Sequence, residues 1–193
     1  MEEIVLNDAS FWIELKEACY GWHEISFHLG NIEIHLSASY LAEEPLTTLI
    51  DSIHELESED EWDDEYKITW SDEPWHFVIS LKKINGKINI HIAHFDTDIF
   101  DKEIGNIEEE WKITMDYSVY REAVINYGLR QLKRYGLRGY NGNWCHGWDS
   151  FPMNGLMTLL GTKSQFVDDD DSYYSNIFEE LKLLEQRLRD IEI

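Results

Sequence analysis

His28, Glu33 and His35 are the side chains whose types and spacing come nearest to a metal site, because imidazole nitrogens and carboxylate oxygens both bind first-row divalent ions. Residues 24–37 alternate polar and apolar about Gly30-Asn31, a pair suited to a two-residue hairpin loop. Pairing Leu29 with Ile32 puts His28 opposite Glu33 and His35 opposite Ser26, with Glu24 two residues along the same face. Such a three-ligand set could serve a metal-dependent or small-molecule enzyme. The competing reading is a solvated sheet face whose histidine–carboxylate pairs need no metal.

Other groups of reactive side chains are weaker. His91, His94, Asp96 and Asp98 are all ligand types, but strand side chains alternate faces. His91 would lie with Ser80 on the polar face and His94 opposite Phe77 on the apolar one, which predicts a hydrogen-bonded core histidine. The loop opening Asp96-Thr97-Asp98 is not an EF-hand, since its sixth position is Asp101 instead of Gly and its twelfth Ile107 instead of Glu. The run 168–171 reads as a solvated acidic loop. Cys145, His146 and Asp149 are the parts of a thiol nucleophile, but neighbours in sequence diverge in space, and Cys19 and Cys145 read as two reduced thiols. Dinucleotide, phosphate-loop and hydrolase-elbow motifs are missing, so no cofactor is expected.

The elements that must carry these groups follow from periodicity. Asn7 or Asp8 can cap a first helix bearing Phe11, Trp12, Leu15 and Cys19, ended by Gly21. In the hairpin at 24–37, Ile25, Phe27, Leu29, Ile32, Ile34 and Leu36 share the core face. Pro45 opens a helix at 45–57 with Leu46, Leu49, Ile50, Ile53 and Leu56 as its buried stripe. Tyr66, Ile68 and Trp70 alternate as a strand that Asp72-Glu73-Pro74 breaks. A second hairpin spans 75–95 about Asn85-Gly86, where a type I′ turn needs positive φ at both residues. Trp111, Ile113 and Met115 give another strand, and a helix at 117–135 should stop at Gly136, leaving 136–151 irregular. Pro152 opens a short helix to Leu160, and an acidic loop at 162–175 leads to a last helix at 176–192. Its stripe of Ile177, Leu181, Leu184, Leu188 and Ile191 is too short for a free coiled coil and predicts docking onto the body. The fold expected is one α+β domain over 1–193, with an antiparallel sheet of five or six strands covered on one face by the helices at 45–57, 117–135 and 177–191.

Charge narrows the partners. Thirty-nine acidic against 16 basic side chains leave a net charge of -23, which repels nucleic acid and anionic membranes. With no basic start, apolar leader or membrane-length apolar run, the chain reads as soluble and cytoplasmic. The acid clusters: Glu57, Glu59, Asp60, Glu61, Asp63, Asp64 and Glu65 form one patch, and Glu108, Glu109 and Glu110 another. Arg121, Arg130, Lys133, Arg134 and Arg138 reverse the sign, which predicts a dipolar surface. Residues 141–148 hold Trp144 and Trp148 among Asn and Gly, as an adaptable recognition loop or as a core plug.

IHLSASYLAEEPLTTLIDSIHEL at 34–56, ITWSDEPWHF at 68–77, and Trp144 ahead of DSFPMNGLMTLL at 149–160 occur in an order that resembles a family of uncharacterised small acidic bacterial α+β proteins. The resemblance implies a bacterial domain and supplies no catalytic residue; immunity proteins encoded beside toxins are its nearest functional analogy. The leading expectation is a non-catalytic binding protein whose acidic patches, with Trp144 and Trp148, take a basic protein partner. The alternatives are the metal-dependent enzyme on the hairpin face, and a DNA mimic whose carboxylate rows displace nucleic acid from a basic binder.

Overall fold

The computed structural model describes residues 2–6, 10–19, 21–39, 41, 44–58, 65–97, 105–143, 151–162, 165–167, 172–174 and 176–192. Two hairpins seed the two main sheets. β3 (Trp22–Leu29) turns into β4 (Ile32–Ser39) with Leu29 opposite Ile32, His28 opposite Glu33 and Ser26 opposite His35. β6 (Trp75–Ile84) turns into β7 (Lys87–Phe95) through Asn85 and Gly86, both at positive φ (50° and 78°), as a type I′ turn requires.

The fold is α+β with mostly antiparallel strands, as expected, and the strands divide between two main sheets. β2 (Phe11–Cys19), β3 and β4 form a three-stranded antiparallel sheet, while a five-stranded sheet runs in the order β1 (Glu2–Val5), β8 (Ile107–Asp116), β7, β6 and β5 (Tyr66–Asp72). It is mixed, because β1 lies parallel to β8. β4 comes beside β5, and there the Ser37 hydroxyl donates to the Asp72 carboxylate. Among the described residues, β9 (Gln165–Val167) and β10 (Ser172–Tyr174) pair as a small ribbon inside the stretch read as an acidic loop.

β2 corrects the helix expected over the same residues. Phe11, Ile13 and Leu15 are buried at 6%, 0% and 4% exposure while Trp12 and Lys16 face outward, a period of two instead of 3.6. The helical reading counted Trp12 into an apolar stripe and passed over Ile13. Pairing with β3 then decides between the two periods, since eight of the nine residues of β2 take register partners on it.

α1 (Pro45–Glu57) buries Leu46, Leu49, Ile50 and Ile53 and meets α2 (Tyr117–Asn143), where the Ser52 and Tyr120 hydroxyls are 2.8 Å apart. Trp70 Nε1 donates to Thr48 Oγ1 at 3.1 Å, tying α1 to β5. Gly136, at φ 62° and ψ 176°, breaks α2 as expected, but the chain resumes helix instead of becoming irregular, and the second segment carries the buried Tyr140. α3 (Met153–Leu159) closes against α1 and α2, and α4 (Ile177–Asp190) docks on α2 through the C-terminal half of its expected stripe, while Ile177 and Leu181 are exposed. Leu184, Leu188 and Ile191 are partly covered, Arg187 Nη2 donates to Glu122 at 2.7 Å, and Lys133 Nζ donates to the Ile191 carbonyl at 2.6 Å. Among the described residues no helix is long and apolar enough to cross a membrane.

Candidate functional site

The three-stranded sheet presents a polar face opposite its buried one. Trp12 stands across from His28, Glu14 across from Ser26, and His28 across from Glu33, so three neighbouring strands contribute to one patch. His28 Nε2 lies 2.9 Å from Glu14 Oε2 and 3.7 Å from Glu33 Oε1, and the ligand atoms of these three residues all fall within 4.8 Å of one another. The imidazole of His28 stacks on Trp12, with centroids 3.8 Å apart and planes 3° from parallel. The Arg130 guanidinium sits 5.7 Å from the Trp12 ring.

A cation already joins this patch. Lys16 Nζ is 2.5 Å from Glu14 Oε2 and 3.0 Å from Glu33 Oε1, and Lys16 is the extra residue of a β-bulge between Leu15 and Glu17. The lysine hydrogen bond holds both carboxyl groups below the usual carboxylate range and pushes the Lys16 ammonium up.

Of the ligands expected from sequence, His28 and Glu33 come together with Glu14, while His35 also reaches Glu33 but lies outside the group whose ligand atoms are all within 4.8 Å of one another. His35 is bound to Ser26 Oγ at 3.0 Å through Nδ1, which Glu33 also approaches at 3.7 Å, and the ring is 73% exposed. Glu14 takes the third place instead. A helical period over 11–19 hides Glu14; the alternation of Trp12, Glu14 and Lys16 against Phe11, Ile13 and Leu15 is the signal that places it.

The other histidines fall into fixed pairs. His94 is stacked 4.1 Å from Phe77, as expected of a core histidine, and its Nε2 is 3.0 Å from Asp72 Oδ2. Burial pushes the Asp72 carboxyl up. His91 Nε2 meets Glu110 at 2.7 Å on the opposite face. Both oxygens of Asp96 are occupied by Asn106, from its amide N at 2.6 Å and its Nδ2 at 3.1 Å, while Asp98 and Asp101 lie outside the described residues. In the interior, Glu44 caps α1 by accepting from Leu46 N at 3.0 Å and Thr47 N at 2.6 Å, and Tyr140 Oη donates to it as well. Burial pushes the Glu44 carboxyl up and the neighbouring His23 imidazole down to about 3.

None of these pairs has the order that nucleophilic catalysis needs, with an imidazole between hydroxyl and carboxylate. Asp72 stands between Ser37 and His94. Ser26 touches His35, but its hydroxyl is fully buried and Glu33 approaches the same ring nitrogen as the serine.

Of the five cations expected to form a basic face, Arg121, Arg130, Lys133 and Arg134 are engaged within the fold, while Arg138 is exposed. Arg130 Nη2 donates to the Ile13 carbonyl at 2.8 Å and Arg134 Nη1 to the Leu15 carbonyl at 3.2 Å, so both cap the free edge of β2. Arg121 binds Glu57 at 2.9 Å and the Leu159 carbonyl at 2.9 Å, and Lys83 binds the Leu56 carbonyl at 3.1 Å. Among the acids expected to meet a partner, Glu57 is thus paired, Glu65 is 3.3 Å from Lys67, and Glu110 is held by His91, while Glu108 and Glu109 are exposed. β1 pairs with Trp111–Thr114 only, so among the described residues no strand covers the outer edge of β8 at Glu108 and Glu109. Glu59, Asp60, Glu61, Asp63, Asp64, Trp144, Cys145, His146, Trp148 and Asp149 lie outside the described residues, as does the run 168–171.

No protein-family model matches the chain, and no curated protein or solved structure is detectably similar to it.

Proposed function

We propose that this protein is a non-catalytic binding protein, immunity-like in kind, that takes a basic protein partner on its acidic surface. The observation that carries the reading is how the two charge signs are used. Cationic side chains bridge strand edges, helix ends and carboxylates within the fold, whereas Glu108 and Glu109 stand exposed beside a strand edge that no strand covers among the described residues. With 39 acids against 16 bases, the potential outside the molecule is set by the unspent carboxylates. Such a surface speeds encounter with cations and orients them, and it repels phosphate backbones.

The test is affinity capture from native lysate at low ionic strength, followed by elution in rising salt. A stoichiometric basic protein that leaves as salt screens the contact is the expected result. Recovery of no basic protein would end the reading. A captured nucleic-acid binder that duplex DNA displaces would move it to DNA mimicry.

A further inference from the structure

The geometry points to Glu14, His28 and Glu33 as a site for one first-row divalent transition-metal ion, with Lys16 as its built-in competitor. This inference does not depend on the acidic-surface reading. Donors about 2.1 Å from an ion stand about 3.0 to 3.4 Å apart in octahedral or tetrahedral coordination. The separations of 2.9 and 3.7 Å from His28 Nε2 to the two carboxylates bracket that range, and all three donors lie within 4.8 Å of one another.

Three further features support it. The donors belong to adjacent, hydrogen-bonded strands, so the backbone holds them in place. The Trp12 ring fixes the plane of the imidazole, the kind of outer support that orients metal ligands. A cation already bridges the two carboxylates, because Lys16 continues the outward alternation of Trp12 and Glu14 along β2. One imidazole nitrogen with two carboxylate oxygens suits manganese, iron, cobalt or zinc better than calcium, which prefers an all-oxygen shell. Three protein ligands leave a coordination position for water. Lys16 is 38% exposed on a flexible stem, so an incoming ion displaces an ammonium that can swing into solvent.

The experiment is calorimetric titration of the full chain with Zn2+ alone at about 0.15 M salt, repeated on Glu14→Gln, His28→Ala, His35→Ala and Lys16→Met, each checked by circular dichroism. One equivalent should bind, weakened about tenfold or more by Glu14→Gln and by His28→Ala. His35→Ala should leave it within about twofold, and Lys16→Met should tighten it about fivefold or more. Glu14→Gln is nearly isosteric and still reports if His28→Ala fails to fold. Several weak equivalents indifferent to Glu14→Gln, ions scattered over the acidic surface, would overturn the site. So would a loss in His35→Ala equal to that in His28→Ala, or no tightening in Lys16→Met.

Discussion

His23 and His28 lie on the same strand, five residues apart, on opposite faces, and each has a carboxylate beside it. His23 is 1% exposed, and its Nδ1 is 4.0 Å from Glu44 Oε1, too far for a hydrogen bond. There burial governs: the imidazole is held neutral, down to about 3, and the carboxyl is pushed up. On the outer face Lys16 reverses the outcome, holding Glu14 and Glu33 below their ordinary range. The residue types are alike, yet desolvation disfavours charge in one cluster and a third ion favours it in the other. An ionised cluster is open to an incoming cation; the inner one serves the fold.

The inner half of this comparison carries the larger energies. His23 has a folded-state value far below its unfolded value near 6.5, so the unfolded chain binds the extra proton and stability falls as pH drops from 6.5 toward 3. The loss attributable to this one group is on the order of 3 to 5 kcal/mol. Urea titrations across that range should show it, and His23→Phe should flatten the curve. Glu44 has the opposite sign. Its folded-state value is raised, so its contribution declines as pH rises upward from 4.5, and the two slopes partly cancel in the wild type.

Removing the inner carboxylate is the next largest perturbation. Glu44→Ala takes the acceptor from two backbone amides of α1, from Thr47 Oγ1 and from Tyr140, and should cost about 2 to 4 kcal/mol in denaturant unfolding. Arg130→Met leaves the Ile13 carbonyl on the edge of β2 without its donor and should cost about 1 to 2 kcal/mol. On the outer face Lys16→Met should change unfolding free energy by less than about 1 kcal/mol, because its ion pairs are solvent-exposed. A Lys16→Met loss as large as that of Glu44→Ala would collapse the distinction between the two clusters.

Much of this was legible in local pattern. The two hairpins, their registers and α1 could be read because turn chemistry at Gly30-Asn31 and Asn85-Gly86, and Pro45 before a leucine stripe, act within a few residues. Gly136 marked its helix break correctly, but nothing local said that helix would resume as far as Tyr140, whose anchor is Glu44, far away in sequence. β1 is four residues long and its partner is β8, about a hundred residues on, so pairing rather than propensity creates it. The division into two sheets is equally non-local. The site followed the same rule: His28 and Glu33 came from the legible hairpin, whereas Glu14 and Lys16 come from β2, where aromatic residues on both faces blur the period. The basic stretch at 121–138 was visible as charge, but its use on strand carbonyls is a property of the packed edge of β2.

The claim that the unspent carboxylates form the binding surface is tested most directly by calorimetry of the captured basic protein against wild type and the Glu108→Lys/Glu109→Lys variant at two ionic strengths. Affinity should fall about tenfold or more in the variant at low salt, with a shallower salt dependence. Equal affinity and equal salt dependence for the two proteins would contradict it.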